Sequence, residues 1–407
     1  MKKKILIISQ HFYPEIGSAG NRVKNIYQLL IQKGYEVSII TSDPAYPSKK
    51  IYEDRNFWDD PSIKENANIS RIQVTNRKYS RSIMNRLFFY VEVALKIALR
   101  ILKDKGKYDY VFATSPPIFI AIVGYLAKVK FKSRFILDIR DLWPESLKGV
   151  GIFNNIFVIK LFSGIEKILY KQADHIIVNS MGFIDYIHNK AYIPLEKISY
   201  IPNAAREDEI NRDHQPAGGP KVIYTGNIGF AQNIDFFKQL AEKLSQHNIE
   251  LTIIGYGIKS KELKEYIQKK KLKNVTLHSP LTRKECLNTI SRHHIGIVSL
   301  SDKEVFDTVL PGKVVDYMTC KIPIVASVSG YSKKVIEKNK VGLVSETRDV
   351  DEIINYIQHL LNDPRLRNEM SQNSEKTIIE SFLWEKNINL LEEIIEGKYK
   401  NLIENRG

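Results

Sequence analysis

The chain reads as an α/β protein: two Rossmann-like β/α/β domains with parallel sheets facing a central cleft. Three observations carry this reading. Buried-strand runs alternate with helical patterns in both halves, which implies parallel sheets. One polar stretch with two prolines and two glycines separates the halves. And 407 residues are too many for one ordinary core but suit two domains of about 200 residues each.

The opening shows the pattern most clearly. KKKILIIS is a strand, HFYPEIGSAG a Gly-bearing turn, Asn21–Lys33 a helix stopped by Gly34, and EVSIITS the next strand. Tyr108–Ala113, Arg134–Ile139 and His175–Asn179 are further buried strands, while 44–80 reads as a long loop or small irregular insertion. These place a first Rossmann-like domain at 1–202 and a linker at 203–219. Beyond it, KVIYTG, ELTIIG, NVTLH, IGIVSL and IPIVAS alternate with helices, giving a second Rossmann-like domain at 220–380. Residues 381–407 read as a C-terminal helix that packs back on the first domain.

Composition narrows the setting. Two cysteines, Cys286 and Cys320, make no disulfide framework and lack metal-ligand spacing, so a reducing compartment is expected. Lys2–Lys4 precede an apolar run of only four residues, Ile5–Ile8, which reads as a strand and not as a signal peptide. The net charge of +15 is uneven: residues 1–202 hold 31 Lys+Arg against 18 Asp+Glu, and 203–407 hold 30 against 28. The first half is therefore built to attract an anionic partner. Nucleic acid is not expected, because the basic residues are interleaved with aliphatics instead of stacking aromatics.

Arg81–Lys107 concentrates this charge. Its apolar stretch, Leu87–Leu102, is interrupted by Glu92, Lys96 and Arg100, too often for a membrane span. A helix with a broad apolar face and basic ends suits a membrane interface, with Arg81, Arg86, Arg100 and Lys103 facing lipid. Packing of that apolar face on the sheet explains the same pattern.

Chemistry is expected at the carboxyl ends of strands. In the first βα turn, Gly17, Ser18, Ala19 and Gly20 let backbone approach a ligand, and the N–H groups opening the next helix favour phosphate. FILDIRDLWPES gathers Asp138, Arg140, Asp141, Trp143 and Glu145 after a strand, where a carboxylate can orient an acceptor hydroxyl and Trp143 can face a sugar or lipid. An Arg–Asp structural pair with Trp143 lidding the core is the alternative. In LPGKVVDYM, Lys313 stands in the first turn of a helix behind Pro311–Gly312, suited to a diphosphate, and Asp316 one turn on suits ribose hydroxyls.

Four stretches, HFYPEIGSAGNR, DIRDLWPES, YTGNIGFAQ and LPGKVVDYM followed by IPIVAS, together resemble glycosyltransferase family 4 over nearly the whole chain. That family consists of retaining GT-B enzymes, and the resemblance runs to the subgroup that builds capsule, O-antigen and exopolysaccharide units, including N-acetyl-L-fucosamine-type transferases. It implies an acceptor-binding, membrane-facing first domain and a nucleotide-sugar-binding second one, with Gly17–Gly20 approaching the donor diphosphate, Gly226, Asn227 and Gly255 in the donor site, and Ser279 and Leu281 at the base. It implies Lys313 as the phosphate cation, with Asp141 the acceptor-side catalytic group where many relatives carry a His. Glu15, Arg22, Arg140, Trp143 and Glu145 are then acceptor-side residues. Asp316 matches the second acid of the family's E-x7-E motif; the first falls on Thr308, with Asp307 one residue off. Asn227 and Gln232 stand where relatives carry an Arg and a Lys.

The activity so implied moves a sugar, an N-acetylated or deoxy-amino hexose, from a UDP-sugar to a polyprenyl-diphosphate-linked saccharide. The setting is the inner face of the cell membrane, with no cofactor or metal. A nucleotide-sugar epimerase of the same architecture, or a non-enzymatic basic membrane-binding protein, are the other readings.

Overall fold

A computed structural model describes residues 2–64, 68–74, 83–149, 155–210, 216, 218–229 and 231–399. Arg81 and the stretches 211–215 and 400–407 lie outside the described residues. The chain divides into two compact units: Met1–Pro202 with the segment from Glu385, and Asn203–Trp384.

The first unit is built on seven parallel strands: β1 (Lys4–Ile8), β2 (Glu36–Ser42), β3 (Ile69–Ile72), β4 (Tyr110–Ser115), β5 (Arg134–Ile139), β6 (His175–Val178) and β7 (Ile198–Tyr200). Their order is β3-β2-β1-β4-β5-β6-β7, a doubly wound sheet whose strand order reverses between β1 and β4. All six residues of β4 are buried, as are Ile5–Ile8, because helices cover both faces of a parallel sheet. Those helices are α1 (Ser18–Gln32), α2 (Pro61–Lys64), α3 (Ile83–Lys103), α4 (Ile118–Phe131), α5 (Glu145–Gly149), α6 (Ile156–Gln172) and α7 (Gly182–Asp185). The stretch 44–80 is not purely loop: it carries α2 and β3, which pairs Ile69 with Ile39. β3 is a short, half-buried edge strand, so its residues ISRI leave no apolar run to read.

The second unit repeats the plan with β8 (Lys221–Asn227), β9 (Glu250–Tyr256), β10 (Val275–His278), β11 (Ile295–Ser299), β12 (Ile324–Ser327) and β13 (Gly342–Ser345), in the order β10-β9-β8-β11-β12-β13. Its helices are α8 (Ile234–Gln246), α9 (Ser260–Lys270), α10 (Arg283–Ile290), α11 (Gly312–Thr319), α12 (Gly330–Lys338), α13 (Val350–Asn362) and α14 (Pro364–Ser381). Tyr224, Phe237, Leu240 and Ile253 form its core with Ile353 and Ile357. Each such side chain contributes about 1.5–3 kcal/mol by leaving water.

The last helix, α15 (Trp384–Glu396), returns to the first unit. Lys3 and Tyr110 both donate to the carbonyl of Ile395, at 2.6 and 2.7 Å, and Lys33 pairs with Glu392. Lys3 and Tyr110 stand at the amino ends of β1 and β4, and Tyr35, whose hydroxyl donates to Glu396 at 2.8 Å, stands at that of β2, which leaves the carboxyl ends for chemistry.

Candidate active site

In the first unit the β1–α1 turn is shaped by two glycines. Gly17 has φ +104° at the N-cap of α1, a conformation that favours glycine. A Cβ on Gly20 would meet the Glu15 carbonyl oxygen at 2.3 Å, so the turn closes only with glycine there. Ser18 is exposed, and the helix opens there with first-turn N–H groups that have no intrahelical partner.

Glu15 and Arg22, expected on the acceptor side, are committed inside the domain. Glu15 Oε1 accepts from the backbone N–H groups of Ala45 and Tyr46, and Oε2 meets His11 Nδ1 at 2.6 Å. Arg22 donates from Nε and Nη2 to Asp138, at 2.7 Å for the shortest, and from Nη1 to the Pro202 carbonyl. Both side chains of that pair are 0% exposed. The Arg–Asp structural pair therefore exists, but its arginine is Arg22 and not Arg140. Trp143 is likewise buried, packed edge-on against Phe162 at 4.8 Å and Phe119 at 6.2 Å, which leaves no indole face for a sugar. Glu145 holds Lys190 at 2.5 Å.

Arg140 and Asp141 differ from these. Both are half-buried at the end of β5. Arg140 donates from Nη2 to the Pro116 carbonyl at 2.7 Å, while its buried Nε has no hydrogen-bond partner among the described residues. Burial lowers its pKa, with Asp138 acting in the opposite sense. Burial pushes the Asp141 carboxyl up; the Ser146 hydroxyl and the Leu142 N–H pull against it. A carboxyl raised in this way at a strand end is suited to handling or orienting a hydroxyl proton.

The second unit brings Gly226, Tyr224 and Lys313 together. Gly226, the penultimate residue of β8, has φ +114°, and a Cβ there would lie 3.5 Å from Lys313 Cε. Lys313 Nζ sits 4.8 Å from the centre of the Tyr224 ring, in cation–π contact. Burial draws its pKa down to about 8, with Asp316 pulling the other way. The ammonium thus stands desolvated in the first turn of α11, whose N-terminal dipole adds to its field. Pro311 caps that helix and Gly312 begins it.

Asp316 is not free. Arg283, at the start of α10, donates from Nη1 to Asp316 Oδ1 at 2.5 Å and grips Glu209 with Nε and Nη2 at 2.9 and 3.1 Å. Burial opposes the charge on Arg283, but Asp316 and Glu209 outweigh it and raise its pKa. Arg283 and Glu209 went unnoticed in the sequence, as did His11. No local signal marks the first two, because they sit 33 and 107 residues from Asp316.

The remaining positions are structural or exposed. Gln232 braces its loop, its Oε1 accepting from Gly229 N–H. Asn227 lies beside Gly257, whose φ of +114° and crowded Cβ position keep it glycine. Gly255 would clash with Ile228 if it carried a Cβ. Thr308 donates to the Val305 carbonyl, and Asp307 accepts from Ser329. Ser279 is exposed and Leu281 half-buried beyond β10.

Two doubly wound units with glycine turns, and a half-buried lysine at a helix N-terminus, are the architecture of the GT-B fold. Residues 17–204 match the model of the glycosyl transferase 4-like domain, and residues 205–377 that of glycosyl transferases group 1. The chain thus carries a glycosyl transferase 4-like domain followed by a glycosyl transferases group 1 domain, and it is a glycosyltransferase. It is 22% identical over 347 residues to WcaI of Escherichia coli (strain K12), named for glycosyl transfer in colanic acid biosynthesis, covering 81% of this chain and 84% of that one. It is also 22% identical over 405 residues to N-acetyl-alpha-D-glucosaminyl L-malate synthase of Bacillus anthracis, covering 97% of each. Among solved structures, sucrose-phosphate synthase of Thermosynechococcus elongatus superposes with TM-score 0.74 at 17% identity, over 97% of this chain and 99% of that one. Anabaena HepE, in complex with UDP and glucose, superposes with TM-score 0.70 at 15% identity, over 97% of this chain and all of that one.

Proposed function

We propose that the enzyme moves an N-acetylated or deoxy-amino hexose from a UDP-sugar to a polyprenyl-diphosphate-linked saccharide, with retention at the anomeric carbon. The setting is capsule, O-antigen or exopolysaccharide synthesis at the inner face of a cell membrane. The observation that carries the donor side is Lys313, desolvated over Tyr224 at the N-terminus of α11 beside Gly226. An ammonium already partly stripped of water in that position regains a counter-charge when a diphosphate arrives. The relative WcaI, named for colanic acid biosynthesis, and HepE, solved with UDP, are what supports the biosynthetic setting and the nucleotide.

In the proposed step the bond from the anomeric carbon to the UDP oxygen breaks. A bond to the acceptor oxygen forms on the same face, and the acceptor proton passes to the departing phosphate oxygen. Lys313 and the α11 N-terminus stabilise charge growing on that diphosphate. Asp141 orients the acceptor hydroxyl, Arg140 supplies a cation toward the acceptor diphosphate, and Asp316, steadied by Arg283, holds the ribose. The test is thermal stabilisation by a panel of UDP, GDP and dTDP sugars. A shift in midpoint confined to UDP compounds supports the reading, and preference for GDP or dTDP overturns the nucleotide.

A further inference from the structure

Ten of the thirteen large apolar side chains that stand exposed among the described residues lie on α3, α4 and α6. α4 touches both α3 and α6, so the three helices form one stretch of surface in the first unit. On α6 the exposed residues follow helical spacing: Phe157 at 80%, Leu161 at 62% and Ile168 at 56%. On α3 Leu95, Leu99 and Leu102 do the same, and α4 adds Ile122 and Val129.

These are not core stripes seen at an angle. α3 buries Val93, Ile97 and Ile101, and α6 buries Glu166, Leu169 and Tyr170. Each helix therefore carries a second apolar stripe on its outer side, where a water-facing helix places charge. A contiguous exposed apolar surface of this kind marks an interaction site.

Charge selects the occupant. α3, α4 and α6 together carry nine Lys and Arg against two acids. Of those acids, Glu92 is paired with Lys96 and Glu166 is buried. On α6 the exposed Lys160, Lys167 and Lys171 run as a basic stripe directly beside the apolar one. A second copy of the chain would bring like charges together, which disfavours self-association through this face. An anionic bilayer offers acyl chains for the apolar stripes and phosphates for the lysines. Among the described residues no helix is long and apolar enough to cross a membrane, so the mode is interfacial.

We propose that α3, α4 and α6 form a single docking surface for an anionic lipid bilayer, with Phe157, Leu161 and Ile168 entering the headgroup–acyl boundary. The inference rests on the reading of the enzyme as one that works at a membrane. What it adds is the surface, most of which lies outside the basic stretch 81–107.

The test is co-flotation of the purified chain with vesicles of phosphatidylcholine, with and without phosphatidylglycerol. The wild type should bind the anionic vesicles, less so at high salt. The combined variant Phe157→Ser, Leu161→Ser, Ile168→Ser should bind about tenfold more weakly or worse, with unchanged circular dichroism and UDP stabilisation. Should that variant fail to fold, Lys160→Ser, Lys167→Ser, Lys171→Ser replaces it and should lose the preference for phosphatidylglycerol. Equal binding by a folded apolar variant and the wild type overturns the surface while leaving the peripheral reading intact. Absence of any wild-type binding overturns both. A wild-type dimer that the apolar variant turns into monomer, with vesicle binding unchanged, assigns the face to a second copy and overturns the proposal.

Discussion

Arg283 donates to Asp316 at 2.5 Å while its other two nitrogens clasp both oxygens of Glu209. The guanidinium thus spends one nitrogen on the residue proposed to hold the ribose and two on a carboxylate that anchors it. Arg283→Ala leaves two partly buried carboxylates without their cation, and Asp316 loses its fixed position. UDP affinity should fall about tenfold or more, with kcat at saturating donor changed much less. Arg283→Lys should recover only part of the affinity, because an ammonium lacks the fork. Titration calorimetry with UDP checks this, and unchanged affinity in Arg283→Ala removes the positioning role.

Lys313 should trade stability for binding. Its pKa is drawn down to about 8 from 10.5. Between those values the unfolded chain holds a proton that the folded one has lost, so stability rises with pH across that window. Below about pH 8 the cost of burying the charge is present in full. Lys313→Met should therefore abolish turnover yet raise apo stability at pH 7 by on the order of 1 kcal/mol. Denaturant unfolding and a turnover assay check the two halves. Near-normal activity would remove the phosphate assignment.

Asp141→Asn keeps the size and the Ser146 contact but no longer presents a carboxylate. It should lower kcat substantially while leaving UDP affinity within about twofold, since the change falls on the acceptor side alone. An unchanged kcat would take Asp141 out of the catalytic step.

Most of the sheet is legible in the sequence. Strands such as KILII and IGIVS are buried on both faces and give unbroken apolar runs that polar turns punctuate. α4 is not legible as a helix, because Ile118–Phe131 is apolar almost all round and shows no helical period. At the site, Gly226 and Lys313 are legible because turn glycines and helix starts are local features. The Glu209–Arg283–Asp316 network is not, since it joins three segments that meet only after folding. Arg22 and Trp143 show the opposite failure. Their residue types fit a ligand site, and only burial reveals that one closes an ion pair and the other a ring cluster.

A titration should expose a further buried carboxyl. Glu166 accepts from the Tyr170 hydroxyl at 2.6 Å and the Tyr186 hydroxyl at 3.1 Å, and burial pushes its pKa up to about 7. The folded chain keeps a proton that the unfolded chain releases near pH 4.5. Its contribution to stability is therefore complete below that pH and lost as pH rises through about 7. Glu166→Gln should flatten the dependence of the thermal midpoint on pH between about 5 and 8. Parallel wild-type and variant profiles would show that Glu166 titrates normally.

The most direct measurement combines the purified enzyme, a panel of UDP-linked N-acetyl and deoxy-amino hexoses and a polyprenyl-diphosphate sugar, followed by mass spectrometry and anomeric NMR of the product. Growth of the lipid-linked acceptor by one sugar, with the donor's anomeric configuration kept and UDP released, is the expected result. Interconversion of the UDP-sugar with no acceptor present, or a product of inverted configuration, would contradict it.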